Sequence, residues 1–444
     1  MGVAVFVVYA AVMLAVAGSF GNREINARSF FLNSRSSSAA LVACSLVASC
    51  VGASATIGMV GLAFTVGTPA FWWLGSGAIG LSILTVLLAR RVRSSGACTL
   101  PEMLDAHLGS QVRRLTSAII VVAWTAILAA QFVALTQILA ALTGLSPRIS
   151  LMLGVLLIVT HTLVSGQSGV MRLDRLQCCI MAAGLLLAAV WLAQLNPGVL
   201  KTISIETTNA RFPLHRLLYF LTVLGGSYVV CPMLFGRLLS AESAAAARTG
   251  SLWAAVALCG ASALIVLIGL LSQGLIPGDT PPDRVLTGVV ATAMPAWASY
   301  VIYLTLASAV VSSADSCLLT ASLILAGDLL QRKGLRCARC CIIGLALAGL
   351  LLTFMDKGIL DFLLMANDVY VCGVVPPVLC ALMWSETRKP RRGIFMAGIL
   401  CGGALGLLSS MTGASSFSYL GIAASAALAV VSFRSAQARP AAHG

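Results

Sequence analysis

Long apolar runs recur along the whole chain of 444 residues, and they limit the folds open to it. Hydrophobic residues make up 59% of the chain and charged residues only 9%, a balance that soluble globular proteins do not show. Each run can cross a hydrocarbon layer about 30 Å thick. Because period-two alternation is absent, we predict an all-α, polytopic membrane protein rather than a β-barrel. We count thirteen runs, at 3–20, 38–63, 70–90, 116–143, 149–166, 174–194, 216–236, 250–273, 293–326, 338–355, 359–384, 392–411 and 415–434.

Basic residues are distributed unevenly among the loops that join these runs. If the N-terminus lies outside, 22 of the 28 Lys and Arg residues fall on one side, with Arg90, Arg113 and Arg237 among them. This bias follows the positive-inside rule and predicts an N-out, C-in topology. The net charge of +14 therefore reports topology, and we expect no nucleic-acid partner. The opposite side holds Arg148, Lys201, Arg211, Arg216, Arg284 and Lys357.

The loops are too short to hold a second folded domain, so we predict one membrane domain over residues 1–444. The sequence has no Walker motif, which argues against an ATP-driven pump, and its scattered histidines argue against an enzyme. No basic residue precedes the first run, which favours a retained helix over a signal peptide. The expected partners are the lipid bilayer and a small solute, and no obligate protein partner is indicated.

Two apolar segments contain residues that interrupt helices. The second is dense in small and hydroxylated residues at 45–58, and the seventh contains Gly225 and Gly226 followed by Pro232. Interrupted membrane helices are tolerated where they line a cavity, and a matched pair in two halves points to a transporter site. Close helix packing by small residues is the alternative. We place an extra helix at 1–20, inverted repeats at 38–194 and 216–384, and two C-terminal helices at 392–434.

The ninth segment carries a carboxylate surrounded by hydroxyls in an apolar environment. Ser312, Ser313 and Ser316 flank Asp315 within residues 293–326. Polar and ionisable groups at membrane depth are costly, and they mark ion or substrate paths. Their oxygens suit a small hard cation. Asp315 itself is open to two interpretations, as a cation or proton ligand or as a cap on a polar network.

Four sequence elements occur in the order found in the sodium:solute symporter family, which the chain resembles over most of its length. They are the second segment with its entry at 30–36, the Thr-Leu-Pro-Glu sequence at 99–102, the stretch 166–177, and the stretch 309–328. The resemblance implies a five-plus-five inverted repeat, also described as a leucine-transporter-like fold. It also implies secondary active import of a solute with a co-transported sodium ion.

The resemblance implies a sodium site between the second and ninth segments. The two hydroxyls at this site have an alternative, which is a bond to the preceding turn of their own helix. By position in the family motifs, the ligands are the backbone carbonyls of Ala48, Val51 and Ala309 and the hydroxyls of Ser312 and Ser313.

Two aspartates are candidates for coupling or gating, and a third is placed at the outer vestibule. Asp174 matches the family's cytoplasmic-end aspartate, which implies a role in ion release. The alternative for Asp174 is a solvated ion pair with Arg172 or Arg175. Asp315 is the second coupling candidate, and Asp368, in the outer half of the eleventh segment, is placed at the outer vestibule.

The solute pocket is expected beside the interrupted second segment. Ala55 and Leu74 stand where sugar-transporting members have a Gln and an acidic residue, so sugar hydroxyls would lack partners. We therefore expect an amino acid or a small organic acid, imported with sodium by alternating access across an inner or plasma membrane. Proton coupling through Asp315 and solute sensing through a separate partner are the alternatives. The pocket candidates are Cys50, Ser54, Ala55, Thr56 and Trp73.

Overall fold

A computed structural model describes residues 1–21, 35–332, 334–355, 357–384 and 390–434. Within these ranges the chain is helical, and its few β-bridges are isolated. Part of the family motif's entry, at 30–34, lies outside the described residues. The α-helices are α1 Gly2–Gly21, α2 Ala39–Cys50, α3 Met59–Val66, α4 Trp72–Leu87, α5 Ala89–Ser94, α6 Leu100–Leu108, α7 Ser110–Thr143, α8 Pro147–Leu195, α9 Pro197–Thr202, α10 Leu214–Tyr219, α11 Gly225–Val229, α12 Pro232–Leu239, α13 Ala244–Leu271, α14 Val285–Ala293, α15 Ala296–Ile324, α16 Leu335–Leu352, α17 Ile359–Gly373, α18 Val375–Trp384, α19 Arg392–Thr412 and α20 Ser415–Arg434. Single π-helical turns lie at Ser54–Gly58, Phe220–Leu224 and Leu325–Leu329, and 3₁₀ turns at Thr68–Phe71, Pro282–Arg284 and Thr353–Met355.

The polytopic, all-α prediction is confirmed. Eleven described segments are long and apolar enough to cross a membrane, or twelve if the bent pair Ala39–Cys50 and Ser54–Val66 forms one span. Helix α8 consists of two helices joined across a kink at Gly166, and these correspond to the fifth and the sixth predicted segments. Gly166 kinks α8 with φ 55° and ψ −171°, a backbone conformation that glycine adopts far more easily than other residues.

The loops predicted for the basic side contact one another. Arg35 donates to the carbonyl oxygen of Gly96 at 2.8 Å, and Arg93 donates to that of Ala241 at 2.5 Å. Thr99 caps the N-terminus of α6 and also donates to Asp328 Oδ2 at 2.8 Å. The Thr-Leu-Pro-Glu element is thus tied to the end of the ninth segment on one face of the bundle.

The loops predicted for the opposite side form a second set of contacts. Thr68 donates to the carbonyl oxygen of Ser204 at 3.0 Å, and Asn209 donates to that of Val66 at 2.8 Å. The backbone N–H of Ile359 donates to Asp283 at 3.1 Å. These contacts bring loops predicted for the same side together, and the N-out, C-in orientation stays a prediction.

Both predicted helix interruptions are present. Helix α2 ends at Cys50, and Val51 leaves the helical region with φ −90° and ψ 66°. The helical segments on either side of this break, Ala39–Cys50 and Ser54–Val66, are bent by 64° relative to each other. In the second half, Val230 and Cys231 are extended between α11 and α12, and Pro232 begins α12, where its missing N–H costs nothing. Each break frees backbone carbonyls inside the bundle.

Helix α15 lies at the centre of the bundle. It packs against α7 and α8 and also contacts α2, and 83% of its membrane window is buried. Helix α1 packs along α8, and its Tyr9 hydroxyl lies 3.2 Å from Ser308 Oγ of α15. Helices α19 and α20 pack on each other and on α17 at the periphery. The polar cluster of the ninth segment is therefore held in the most enclosed helix.

Candidate ion and solute site

Ser313 of α15 faces the break in α2. Its hydroxyl donates to the carbonyl oxygens of Ala48 at 3.2 Å and Ser49 at 3.1 Å. A Cβ on Gly52 would lie 2.5 Å from Ser313 Oγ, so only glycine permits this approach. The alternative of a bond to the preceding turn is wrong for Ser313, because its hydroxyl bonds across to another helix.

Asp174 is fully buried between two serine hydroxyls. Ser312 Oγ donates to Asp174 Oδ1 at 2.5 Å, and Ser45 Oγ donates to Oδ2. Ser312 thus also bonds across to another helix rather than to its own preceding turn. The three side chains come from α15, α8 and α2, so Asp174 ties together the helices that carry the predicted sodium ligands. A solvated surface ion pair is wrong for Asp174 because this carboxylate has no exposure to solvent.

Arg237 provides the positive charge nearest to Asp174. Its Nη2 lies 3.5 Å from Asp174 Oδ2, donates to Ser316 and lies 3.3 Å from Ser49 Oγ, while Nη1 donates to Gln167 at 3.0 Å. The side chain is fully buried. Counting Arg237 among the basic loop residues was therefore wrong, because a carboxylate and three polar side chains hold it inside the protein.

Asp315 makes its contacts apart from the Asp174 and Arg237 side chains, with residues of α8 that precede the kink at Gly166. His161 Nδ1 contacts Asp315 Oδ2, and Thr162 Oγ1 donates to Oδ1 at 2.7 Å. All three side chains are buried. The structure separates Asp315 from the predicted sodium ligands Ser312 and Ser313 by orientation, although the three lie within four residues of one another.

A cavity of about 80 Å³ borders the break in α2. Of the five pocket candidates, Cys50, Ser54 and Trp73 line it. Ala55 and Thr56 do not, and the Thr56 hydroxyl bonds back to the carbonyl oxygen of Gly52 at 2.8 Å. Both residues are buried in the π-helical turn Ser54–Gly58 that follows the break. Other lining residues are Ser49, Trp124, Gln131, Ser227, Tyr228, Cys231, Ser313 and Asn367.

The sequence did not predict the basic side chains that contact Asp174 and Asp315. Arg237 stands one residue beyond the predicted seventh segment, and His161 stands inside the predicted fifth segment. Placement of an ionisable residue inside an apolar run was the available signal, since such residues face the interior and pair with one another. Which aspartate each of them meets depends on the kink in α8, which the sequence does not specify.

Comparison with solved structures identifies the fold. A Na⁺-coupled sialic acid symporter, in a substrate-bound outward-open state, matches with a TM-score of 0.82 at 16% identity, covering 100% of this chain and 99% of that one. A nucleobase-cation-symport-1 family transporter, closed with bromovinylhydantoin bound, gives 0.62 at 14% identity, covering 91% and 93%. MhsT in complex with L-phenylalanine gives 0.59 at 12% identity, covering 88% and 98%. All are leucine-transporter-like in fold, as is this chain.

A family model connects this architecture to a class of transport. No curated protein matches the sequence. The model described as "Sodium:solute symporter family" matches residues 30–402, which include every element from the entry of the second segment into α19. This match spans far more than half of the chain and covers all four motifs. The chain therefore belongs to the sodium:solute symporter family, whose members carry a solute together with sodium.

Proposed function

We propose that this transporter imports an amino acid or a small organic acid, rather than a sugar, through the cavity beside the α2 break. The cavity is lined by two tryptophans, Trp73 and Trp124, and by cysteines that are poor hydrogen-bond partners. Ala55, at the position of the sugar-binding Gln, is turned away from it. A sugar needs partners for many hydroxyls, and the Gln and the acidic residue that sugar-transporting members have at the positions of Ala55 and Leu74 are missing here. The polar side chains that do line the cavity suit the polar ends of a smaller solute; they are Ser49, Ser54, Gln131, Ser227, Tyr228, Ser313 and Asn367.

The proposed sodium site lies at the crossing of α2 and α15. The ligands are the carbonyls of Ala48, Val51 and Ala309 and the hydroxyls of Ser312 and Ser313. The observation that carries this proposal is the contact of Ser313 with the Ala48 carbonyl, because it brings hydroxyl and freed carbonyl oxygens from two helices to one point. Hard cations favour such oxygen donors, and unwound backbone supplies them in transporters.

The proposed sodium site and the solute cavity have residues in common, which links the binding of the ion to the binding of the solute. Ser313 and Cys50 line the solute cavity and also flank the proposed ion site. Sodium binding from outside fixes α2 against α15 and so shapes the pocket, after which alternating access releases both ligands. One charge moving down about 100 mV releases about 2.3 kcal/mol. A tenfold sodium gradient adds about 1.4 kcal/mol.

Proton coupling through Asp315 is the second candidate mechanism. The observation that favours it is the contact of His161 with Asp315 deep inside the bundle. A buried His–Asp pair holds a proton that an exchange of partners can release. Sodium coupling is preferred because the family carries sodium and because the Ser313 hydroxyl contacts carbonyl oxygens at the α2 break.

Uptake into proteoliposomes tests the sodium site. Replacing Ser313 with Ala removes one ligand and should raise the sodium concentration for half-maximal uptake by about tenfold, the equivalent of about 1.4 kcal/mol. Ser322→Ala is the matched control, because its hydroxyl lies on the same helix and bonds back to the carbonyl oxygen of Leu319, at 2.9 Å. Sodium activation equal in both variants would count against the site.

A thermal-shift screen tests the substrate class. A ligand that binds only the native state raises the unfolding temperature by mass action. Amino acids, organic acids and sugars are compared in sodium and in potassium buffer, and an amino acid or organic acid should stabilise the protein only in sodium. A sugar with sodium-dependent stabilisation would overturn the assignment of the substrate class. Stabilisation that follows pH instead of sodium would favour proton coupling.

A further inference from the structure

Two cysteine thiols meet where α2 packs against α8. Cys44 lies in α2, and Cys178 lies in the part of α8 that follows the kink at Gly166. The two side chains hydrogen-bond to each other, so their sulfur atoms already have the proximity that a disulfide requires. Both cysteines are free and only half-buried, which leaves them open to a small oxidant.

The surroundings of this thiol pair favour its reaction with an oxidant. The Arg175 guanidinium, one turn before Cys178 in α8, acts electrostatically on the Cys44 thiol. Thiolates, rather than thiols, attack oxidants, and a neighbouring cation favours the thiolate. Arg175 is among the basic residues predicted to lie inside the cell. Thiols stay reduced in such a compartment, and the disulfides that form there are transient or redox-sensing.

The thiol pair lies beside a contact that already joins α2 to α8. Ser45, the residue after Cys44, donates to Asp174, which is one turn before Cys178 in α8. Ser312 of α15 donates to the same carboxylate. A bond between the two sulfurs would therefore add a covalent link to a junction that hydrogen bonds hold in the reduced protein.

A second pair of contacting thiols provides a comparison. Cys337 and Cys341 hydrogen-bond to each other, but both belong to α16. Oxidation of that pair would join no two helices. The pair Cys44 and Cys178 differs because it bridges two helices that are far apart in sequence and that both contact the Asp174 carboxylate or carry it.

We propose that Cys44 and Cys178 form a site of oxidative modification, where a hydroperoxide converts the two thiols into a disulfide that fixes α2 on α8. With hydrogen peroxide, the Cys44 sulfur attacks one oxygen, the O–O bond breaks, and a sulfenic acid and one water result. The Cys178 sulfur then attacks the sulfenic sulfur, the S–S bond forms, and a second water leaves. The two sulfurs lose two electrons in total, and the peroxide gains them.

The disulfide should stop transport, and this consequence rests on the proposed function. The ligands of the proposed sodium site come from α2 and α15, and α8 packs against α15. Release of the ion requires α2 and α15 to separate on the inner side. A covalent link from α2 to α8 prevents this separation, so the ion stays enclosed until a thiol reductant breaks the link.

Peptide mass spectrometry of the oxidised full chain tests the modification site. After treatment with hydrogen peroxide and digestion without reductant, we expect the Cys44 peptide linked to the Cys178 peptide. The link should also raise the unfolding temperature of the wild type but not of Cys44→Ser or Cys178→Ser. Cys179→Ser is the matched control, because it removes the adjacent and more exposed thiol and should leave the link intact. Oxidation confined to Cys337 and Cys341 would refute the proposed site.

Uptake into proteoliposomes separates this inference from the proposed function. Peroxide should abolish sodium-driven uptake by the wild type and by Cys179→Ser, and dithiothreitol should restore it. Uptake by Cys44→Ser and by Cys178→Ser should survive the same treatment. A link that forms without loss of uptake, or a loss that persists in both of these variants, overturns the inference while sodium-driven uptake stands. A link that raises the unfolding temperature of a protein without sodium-driven uptake removes the proposed function instead, and the modification site stands.

Discussion

Asp174 of α8 and Asp315 of α15 are both buried inside the bundle, but the basic side chain beside each carboxylate is different. Asp174 lies 3.5 Å from Arg237, whose guanidinium stays protonated at every physiological pH. Asp315 contacts His161, whose imidazole carries a charge only when it is protonated. One carboxylate thus has a permanent counter-charge and the other a conditional one.

This difference assigns the two aspartates different tasks. The Asp174 group joins α2, α8, α12 and α15 through Ser45, Ser312 and Arg237, so it holds together the helices that must position sodium. The Asp315 group joins only α8 and α15, through His161 and Thr162. We infer that Asp174 is required for the assembled site and that Asp315 adjusts it.

The largest expected effect follows from Asp174→Asn. This change keeps the shape of the side chain but leaves the Arg237 guanidinium buried without its counter-charge. Breaking a buried pair in this way costs about 3 to 5 kcal/mol. Thermal unfolding of the detergent-purified protein should show a large loss of stability.

The double variant Asp174→Asn with Arg237→Met provides the control. It removes both charges together, so it should recover much of the stability that the single variant loses. A single variant as stable as the wild type would show that Arg237 needs no counter-charge and that the two aspartates do not differ as described.

The sequence predicted the architecture better than the partners of the aspartates. Runs of apolar residues fix the number and length of spans, and small residues with Pro232 mark the two breaks, because these signals are local. The pairing of Asp174 with Arg237 joins residues 63 positions apart across three helices, and it depends on the kink at Gly166. Ala55 and Thr56 do not line the cavity in this conformation, and they belong to a π-helical turn, whose spacing of side chains the sequence does not reveal.

A smaller effect is expected from Asp315→Asn. The amide oxygen still accepts a hydrogen bond from Thr162 or His161, and an imidazole, unlike a guanidinium, need not carry a charge, so no unpaired charge has to be left behind. The cost should be about 1 to 2 kcal/mol, clearly below that of Asp174→Asn. Thermal unfolding under the same conditions checks this order, and an equal loss in the two variants would contradict it.

Uptake by Asp315→Asn also separates the two coupling mechanisms. With sodium as the coupling ion, sodium-driven uptake should persist, with a pH profile close to that of the wild type. If uptake in the variant no longer responds to pH, Asp315 carries the coupling proton.

The smallest effect, from Thr162→Val, reveals whether Asp315 is ionised. The Thr162 hydroxyl has one proton and two acceptors within reach, Asp315 Oδ1 at 2.7 Å and the carbonyl oxygen of Ile158 at 2.9 Å. If Asp315 is ionised, valine removes a bond to a charge, which costs about 1.5 to 3 kcal/mol. If Asp315 holds the proton, Thr162 bonds to Ile158 instead, and the loss should be about 1 kcal/mol or less.

We expect the larger loss from Thr162→Val, because Asp315 contacts both an imidazole nitrogen and a hydroxyl, which are suitable partners for a carboxylate. The test is a double-mutant cycle in which Thr162→Val is introduced into the wild type and into Asp315→Asn, and unfolding is measured for all four proteins. A coupling energy above about 1 kcal/mol indicates an ionised Asp315. A coupling energy near zero indicates a neutral carboxyl, and Asp315 would then differ from Asp174 in charge as well as in partner.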